Sequence, residues 1–443
     1  MTNQFLIFGA AALLLLGAGC AVTDEPDEIP KAEVDPELYE KAALLAGTID
    51  FLSRNYADPD RATENKLYDA ALRGMVRELD PYSGYEPPPE FQVNQEERSG
   101  EYAGIGVVTV KRSDHPLQIV GVLPDSPAAA AGIKPGEGIL RIGNERTASL
   151  SLEDCSARIR GPAGSELQLE LTGPEGGPTR MVTLKRAIVV RPSVPKESAR
   201  IIGDGVGYLR IENFNAHTPA EFRDRLESLR KAGMTRGLIL DLRGNPGGLV
   251  GGATEIASML LPEGKTIFTV EPRDPRERQE LRTGPVDFRD TELPLVILVN
   301  PLTASASELL AGALRDNGRA RLVGMKTFGK GTLLRVLELP NGGALRYAAS
   351  YYRTPAGHQI EGQGLEPDIA IELSPKETLQ LAAQSDRHPG ETEPAGEGAL
   401  RDRQLEAALA LFASPAATEP DPESPAATPR PPVPESGNGA ENR

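Results

Sequence analysis

Apolar side chains recur at helical spacing between Pro36 and Leu79, within an amino-terminal helical region predicted over residues 36–95. The repeat is clearest at Leu72 and Val76, which lie four residues apart and would share one face of a helix. Asp58-Pro59-Asp60 divides the pattern, and Asp80-Pro81-Tyr82-Ser83-Gly84 ends it, because proline and glycine interrupt helices. The pattern predicts a helical hairpin, and so short a pair of helices needs a partner surface to be stable.

The pattern changes between residues 97 and 187. Short apolar runs, such as Leu117 to Val122 and Leu167 to Leu171, alternate with glycine and proline turns. One stretch, Leu152 to Ile159, has helical spacing instead and places Cys155 on its apolar face. We expect a compact domain of β-strands with one or two helices, in which Cys155 is a buried small hydrophobic residue.

A third region, residues 188–374, alternates predicted strands with predicted helices. Strands are expected near Gly237 to Asp241 and Leu295 to Val299, and helices near Thr218 to Ala232 and Ala306 to Asn317. This alternation is typical of a layered α/β core.

The last part of the chain changes in composition. Residues 375–413 are predicted to form an extension with one short helix, Gln404 to Phe412. Residues 414–443 consist largely of proline, alanine, glutamate and serine, with almost no large apolar residues. Such a segment cannot bury enough apolar surface to fold, so we expect a disordered tail.

The first twenty residues have the features of an export signal. The run from Phe5 to Gly19 is apolar and shorter than the ~20 residues that span a bilayer. The small residues before Cys20 resemble a bacterial lipoprotein cleavage box, in which this cysteine is lipidated and becomes the new amino terminus. Residues 21–35 would then form a linker, and Cys20 would tether the protein to a membrane. A plain signal peptide or an uncleaved anchor is the alternative.

Charge and composition narrow the classes of function. The 443 residues carry 48 Lys and Arg against 64 Asp and Glu, and the net charge of −16 gives no electrostatic footprint for nucleic acid. The two cysteines, Cys20 and Cys155, cannot form a disulfide framework. The four histidines show no short spacing with them of the kind found in zinc sites. We therefore expect no metal and no cofactor.

The segment from Leu295 to Leu314 contains the first candidate catalytic residue. A buried strand is followed by a turn of small residues and then a helix, which places Ser305 at a helix amino terminus. Free backbone N–H groups and the positive end of the helix dipole stabilise an oxyanion there, so Ser305 is a candidate nucleophile and the Ala306 amide a candidate oxyanion donor. The alternative is that Thr303, Ser305 or Ser307 only caps the helix.

Lys330 is the second candidate, in the turn Thr327-Phe-Gly-Lys-Gly-Thr. A lysine between glycines and next to a phenylalanine can lose solvent, and a lysine that acts as a general base must be neutral. Lowering its pKa from ~10.4 to ~7 or 8 requires roughly 3 to 5 kcal/mol of differential destabilisation of the ammonium, which burial can supply. An isolated lysine in a turn is usually solvated, but pairing with Ser305 favours the catalytic interpretation.

A glycine-rich loop, Asp241-Leu-Arg-Gly-Asn-Pro-Gly-Gly-Leu, follows a predicted strand and leads into a helix. Paired glycines after a proline let backbone N–H groups approach a ligand closely, so Gly247 or Gly248 is a candidate second oxyanion donor beside Ala306. An ordinary turn between a strand and a helix is the alternative. None of the four histidines lies in a context typical of a Ser-His-Asp triad.

Three motifs in this order resemble the signature blocks of the carboxyl-terminal processing peptidases, also called tail-specific proteases. They are Asp241-Leu-Arg-Gly-Asn-Pro-Gly-Gly, Ser305-Ala-Ser-Glu and Thr327-Phe-Gly-Lys-Gly. Ser305 and Lys330 lie 25 residues apart, like the nucleophile and base of that family. The resemblance implies a multidomain α/β protein with a helical amino-terminal hairpin, a PDZ domain and a layered, crotonase-like protease core. It also implies a serine endopeptidase with a Ser305/Lys330 dyad.

A further segment resembles the ligand-binding part of the family's PDZ domain. Its successive N–H groups can bind a terminal carboxylate while the bound peptide adds as an edge strand, and the residues concerned are Gly104, Ile105, Gly106 and Val107. This arrangement selects unstructured, apolar carboxyl termini, whereas a simple glycine turn before a strand is the alternative. Arg160 resembles a position that couples PDZ docking to the active site in some relatives.

Position 334 departs from the family pattern. The family usually places a glutamine four residues after the lysine, where it holds the amine toward the serine, but this chain has Leu334, which has no hydrogen-bonding group. Two interpretations follow. Either Leu334 keeps the Lys330 amine dry while Thr332 or a water orients it, or the site is impaired and the protein is a PDZ scaffold or adaptor.

Partners and location follow from these features. The substrates are predicted to be proteins or peptides with free carboxyl termini, and nucleic acid is not expected. By resemblance, the helices of residues 36–79 would support a homodimer. The amino-terminal segment predicts an exported bacterial cell-envelope protein, membrane-tethered on the periplasmic side.

Overall fold

The computed structural model describes residues 35–112, 114–385 and 400–413. The predicted signal segment with Cys20, nearly all of the predicted linker and the predicted disordered tail 414–443 lie outside these ranges. Within the ranges, none of the helices has both the length and the apolar character that a bilayer span requires.

The amino-terminal region contains the predicted helical hairpin. Its elements are α1 (Pro36–Asn55), α2 (Glu64–Arg77), the short strand β1 (Gly84–Glu86) and α3 (Pro88–Ser99). Asp35 caps α1 by accepting the Glu37 N–H at 3.0 Å. None of the α1 side chains is buried, and Val76 is the buried residue of α2. The hairpin thus presents apolar side chains to its surroundings.

The second region is a small β domain with two helices of its own. Its elements are β2 (Glu101–Gly104), β3 (Val107–Val110), β4 (Leu117–Val122), α4 (Pro127–Ala130), β5 (Gly138–Ile142), β6 (Glu145–Arg146), α5 (Leu152–Ile159), β7 (Glu166–Thr172), β8 (Thr179–Lys185) and β9 (Ala187–Val190). The antiparallel sheet has the order β3-β4-β5-β7-β8, so β3 is an edge strand, and β2 pairs with β9 in a separate ribbon. Cys155 on α5 is buried, as predicted.

The third region is the layered α/β core. Its elements are β10 (Ala199–Ile202), β11 (Val206–Arg210), α6 (Thr218–Lys231), β12 (Gly237–Asp241), α7 (Val250–Leu260), β13 (Thr266–Pro272), β14 (Gln279–Arg282), β15 (Leu295–Val299), α8 (Ala306–Asp316), β16 (Arg321–Gly324), β17 (Thr332–Glu338), β18 (Ala344–Arg353) and β19 (Ile369–Ala370). The main sheet has the order β10-β11-β12-β15-β16-β19 and is parallel except for β10.

Both faces of the main sheet are covered, which explains the unbroken apolar strands. Leu238 and Leu240 of β12 belong to the cluster formed with α6, α7 and α8. Ile239 points to the opposite face and packs with Ala408 and Phe412. Those two residues lie in α10 (Arg403–Ala413), which follows α9 (Pro375–Ser385) in the carboxyl-terminal extension.

A second, antiparallel sheet connects the amino-terminal region to the core. Its order is β1-β18-β13-β14, and β17 also pairs with β18. Gly84 of β1 lies opposite Arg346 of β18. The segment that ends the helical hairpin is therefore a strand of the core, which the sequence pattern did not predict.

Other differences from the sequence expectations have local causes. The sequence pattern did not predict α3, because this helix is mainly polar and Phe91 is its one buried residue. It also did not predict α9. β9 crosses the expected boundary at 187 because it pairs with β2 at the start of the β domain.

Candidate active site

Ser305 lies where β15 ends and α8 begins. β15 is buried along its length and runs parallel to β12, so the turn after it opens at the same sheet edge as the glycine-rich loop after β12. Ser305 has φ 57° and ψ −119°, a left-handed backbone that is uncommon for a residue with a side chain. An N-cap residue ordinarily has extended backbone, so capping alone does not account for this strain.

The hydroxyl groups of Thr303 and Ser307, on either side of Ser305, form structural hydrogen bonds. Thr303 Oγ1 donates to Leu242 O at 2.8 Å, Ser307 Oγ donates to Asn245 O at 3.1 Å, and both side chains are buried. These bonds attach the turn to the glycine-rich loop. Ser305 is half-buried, so its hydroxyl is the one of the three with access to solvent.

The glycine-rich loop lies directly against this turn. A Cβ atom on Gly247 would come within 2.8 Å of Ser305 Cβ, so only glycine fits there. The Gly247 N–H donates to Asn245 Oδ1 at 2.9 Å, so this amide already has an acceptor in the structure, and its role as an oxyanion donor stays a prediction. The Gly248 N–H has no recorded acceptor among the described residues and stays a candidate donor, together with Ala306 at the start of α8.

Glu308 connects the serine turn to the lysine turn. Its buried carboxylate accepts the Ser305 N–H and the Lys330 N–H on Oε2, each at 2.9 Å. Its Oε1 accepts the Gly329 N–H at 2.8 Å and the Thr327 hydroxyl. Burial raises the pKa of Glu308, and these four donors oppose the increase by stabilising the carboxylate. One side chain thus fixes the backbones of both candidate catalytic residues.

Lys330 is half-buried, and burial is the main reason that the pKa of its amine lies below the ordinary lysine value. Arg346 adds to the decrease, whereas Glu361 and Asp80 oppose it. A lowered pKa increases the fraction of neutral amine near neutral pH, which is what a general base requires.

The glycines beside Lys330 are required by close backbone packing. A Cβ atom on Gly329 would lie 2.9 Å from Gly364 N, and one on Gly331 would clash with the Glu361 backbone. Gly331 N donates to Glu361 Oε2 at 2.8 Å. The glycines therefore let this turn lie against the chain that follows β18.

A buried network of charged residues connects the glycine-rich loop to the segment next to α10. Arg243 lies 2.7 Å from the Asp241 carboxylate and 2.8 Å from that of Asp402, which lies next to α10. Tyr208 donates to Asp241 Oδ2 at 2.7 Å. Although burial opposes it, the Arg243 guanidinium holds the pKa of Asp241 below its ordinary value.

The predicted carboxylate-binding segment enters the edge strand of the β domain. Gly104 pairs with Ala187, Ile105 is fully buried, and Gly106 has a φ of 81°. Val107 begins β3, whose outer side is unpaired in the sheet. This edge provides the geometry for adding a peptide as a further strand.

Arg160 lies between the β domain and the amino-terminal region. Its guanidinium bonds to the Glu96 carboxylate at 2.5 Å, and its Cζ lies 5.3 Å from the centre of the Tyr102 ring. Glu96 belongs to α3, which follows β1 in the chain. The proposed coupling role of Arg160 stays a prediction.

Glu308 was not singled out as a functional residue by sequence reasoning. The signal was present, because a glutamate three residues after a serine at a helix start is the pattern of a capping box. In the described part of the chain, no group of three or more His, Cys, Asp or Glu residues is placed to hold a metal ion.

Comparisons with known proteins give the family. A model of peptidase family S41 matches residues 205–371, and a PDZ domain model matches residues 92–172. The chain is 36% identical over 325 residues to a carboxyl-terminal-processing protease of Picosynechococcus sp., covering 73% of this chain and 77% of that protein. It is 37% identical over 305 residues to a carboxyl-terminal-processing protease of Synechocystis sp., covering 68% and 70%.

A solved structure of a photosystem II D1 C-terminal processing protease is 28% identical, with 74% of this chain and 92% of that chain covered and a TM-score of 0.42. The identity and coverage of the two curated relatives establish the family, and because both are proteases they do not favour the scaffold interpretation. The chain belongs to the carboxyl-terminal-processing proteases of peptidase family S41 and is a serine protease with a PDZ domain.

Proposed function

We propose that this serine protease cleaves peptide bonds with Ser305 as nucleophile and Lys330 as general base. The observation that carries the proposal is that the Glu308 carboxylate accepts hydrogen bonds from the backbone N–H groups of both Ser305 and Lys330. Burial of the Lys330 amine and the strained backbone of Ser305 support the same assignment.

In the proposed reaction the neutral Lys330 amine takes the proton of the Ser305 hydroxyl as its oxygen attacks the scissile carbonyl. The N–H groups of Ala306 and Gly248 would stabilise the oxyanion of the tetrahedral intermediate. Lys330 would then give its proton to the leaving amine, which leaves an acyl-enzyme on Ser305. Water activated by Lys330 would release the product and restore the serine.

We further propose that the PDZ domain selects substrates by their free carboxyl termini. The free edge of β3 and the segment from Gly104 to Val107 would bind the terminal carboxylate and the last residues as an added strand. The apolar side chains beneath β3 favour unstructured, apolar tails as ligands. Amidation of the terminal carboxylate of a peptide substrate is expected to raise KM with little change in kcat.

The test of the dyad is cleavage of a denatured protein with an apolar tail. Ser305→Ala and Lys330→Ala are each expected to abolish turnover, and Lys326→Ala is the control because Lys326 forms a surface ion pair with Glu366. The wild-type rate is expected to rise with pH as Lys330 loses its proton, and Lys330→Arg should be inactive because arginine stays protonated. Normal turnover by Lys330→Ala would contradict the assignment.

We propose that the protein is exported, lipidated at Cys20 and tethered on the periplasmic side of a bacterial membrane. The apolar run from Phe5 to Gly19 and the small residues before the cysteine support this location. Metabolic labelling with a fatty-acid analogue should be lost in Cys20→Ala, which should also leave the membrane fraction. An unlabelled protein that stays in the membrane would indicate an uncleaved anchor instead.

We also propose that the amino-terminal hairpin supports a homodimer. α1 has no buried side chain within one chain, although Leu44 is 73% exposed and Phe51 is 63% exposed. A second copy of the same hairpin is a surface of matching apolar chemistry, because an isologous contact places equivalent patches against each other.

A further inference from the structure

The amine of Lys330 lies over an aromatic ring from a distant part of the chain. Lys330 Nζ is 5.1 Å from the centre of the Tyr82 ring, within the range of a cation–π contact. Within the described residues, no hydrogen bond and no ion pair is recorded for this amine. The face of the Tyr82 ring is therefore the side-chain group that the structure places against the Lys330 amine.

Tyr82 is held in place through its backbone. Asp80 Oδ1 accepts the N–H groups of Tyr82 and Ser83, each at 2.7 Å. Arg346 Nε donates to Tyr82 O at 3.2 Å, and its Nη1 donates to Glu86 Oε1 at 2.8 Å. The Tyr82 hydroxyl has no hydrogen bond recorded among the described residues, so the ring is positioned without it.

The same turn contacts the strand pair that contains Leu334. Leu334 of β17 lies opposite Ala348 of β18, and Ala348 N donates to Ser83 Oγ at 3.0 Å. A leucine at position 334 offers the amine no hydrogen-bond acceptor. The turn of residues 80–83 therefore joins the Tyr82 ring, which lies against the Lys330 amine, to the strand pair that contains Leu334.

We propose that Tyr82 is a positioning residue for Lys330, and that its ring face holds the amine and stabilises the ammonium formed when Lys330 takes the Ser305 proton. The inference rests on the proposed dyad. An aromatic face attracts a cation through the ring quadrupole, and the attraction is strongest where solvent is excluded. The ring favours the protonated product of the transfer without supplying a second base.

Several charged groups face the same amine and set the direction of the pH effect. Arg346 from β18 disfavours the ammonium, whereas Asp80 from the turn and Glu361 from the loop after β18 favour it. The Glu308 carboxylate from α8 bonds to the Lys330 amide. The Tyr82 ring also stabilises the ammonium form of Lys330. Removing the ring should therefore move the deprotonation of Lys330 to lower pH.

The experiment measures the rate at which a fluorophosphonate labels Ser305, as a function of pH. The reagent forms a phosphorus–oxygen bond to an activated serine and releases fluoride, so the rate reports on proton removal without PDZ docking. In Tyr82→Leu we expect labelling about tenfold slower, with the midpoint of its rise at lower pH. In Tyr82→Phe, which keeps the ring face, we expect a rate within about twofold of wild type.

Two further variants separate the ring face from folding. Pentafluorophenylalanine in place of Tyr82 keeps the ring shape but reverses its quadrupole, and it should behave like Tyr82→Leu. Phe288→Leu removes a ring that lies 5.8 Å from the Arg230 guanidinium, and it should leave the pH profile unchanged.

The outcomes distinguish the two proposals. If wild-type protein is not labelled at Ser305, the proposed dyad fails. If wild type is labelled but the fluorinated ring leaves both rate and midpoint unchanged, the role of Tyr82 fails while the dyad stands. A loss in Tyr82→Phe as large as that in Tyr82→Leu would assign the effect to the hydroxyl and overturn the inference.

Discussion

Glu308 lies at the point where the two candidate catalytic turns meet. Its two carboxylate oxygens accept hydrogen bonds from three backbone N–H groups and one hydroxyl, and the side chain is fully buried. A carboxylate suits this position because it has only acceptor sites. An amide at the same position would turn an NH₂ group toward at least one of these donors.

Glu308→Gln is therefore expected to lower both stability and turnover. An unpaired buried donor costs about 1–3 kcal/mol, which urea unfolding would detect, and displacement of the lysine turn should lower kcat. Glu221→Gln is the matched control, since the Glu221 carboxylate accepts the N–H groups of Ser193 and Val194, each at 2.8 Å, away from the site. These bonds, and one from the Ser193 hydroxyl, are all made to Oε2, so a glutamine carbonyl oxygen can accept them and the variant should keep its kcat. Equal kcat in both variants would contradict the role of Glu308.

At the scale of elements, α10 supports the glycine-rich loop from the opposite face of the main sheet. Ala408 and Phe412 cover the apolar side chains there, and Arg243 bridges Asp241 to Asp402. The carboxyl-terminal extension thus reaches the loop that contains Gly248. A substitution that displaces the start of α10 should therefore shift Arg243 and, with it, the glycine-rich loop, which would lower kcat.

Asp402→Ala is expected to lower kcat about tenfold and to destabilise the protein, because a mostly buried guanidinium loses one of its two carboxylates. Steady-state kinetics and thermal unfolding measure the two effects. Glu406→Gln is the control on the same helix, since its ion pair with Arg401 lies at the surface and contributes little. An unchanged kcat in Asp402→Ala would show that the loop does not depend on this helix.

At the scale of the whole molecule, the exposed apolar face of α1 is the main unexplained surface. The proposed homodimer predicts that Leu44→Glu lowers the dimer fraction in sedimentation velocity at micromolar concentration. Leu379→Glu is the matched control, because Leu379 is 72% exposed on α9, outside the hairpin. A wild-type protein that sediments as a monomer would contradict the homodimer and leave the proposed active site unaffected.

The sequence predicted the bounds of single helices and strands better than it predicted which elements pack or pair with each other. The periodicity identified β12 and α5 with the bounds that the structure has, because β12 is a short apolar run, α5 repeats its apolar residues at helical spacing, and both end at clear breaks. It did not predict α3, whose polar surface carries no such periodicity. It also treated Asp80 to Gly84 as the end of a hairpin, although this segment continues into β1 of the second sheet.

The linear pattern was enough to predict the strongly periodic elements and the candidate pair Ser305 and Lys330, and short motifs gave the resemblance that implied the domain types, because periodicity and motifs are properties of neighbouring residues. The folded chain was needed to show that Glu308 bonds to both turns, that the Gly247 amide is already bonded and that Tyr82 lies against the Lys330 amine. These contacts join segments that are distant in the chain. Their geometry depends on how strands pair and helices pack, and a linear pattern does not contain that information.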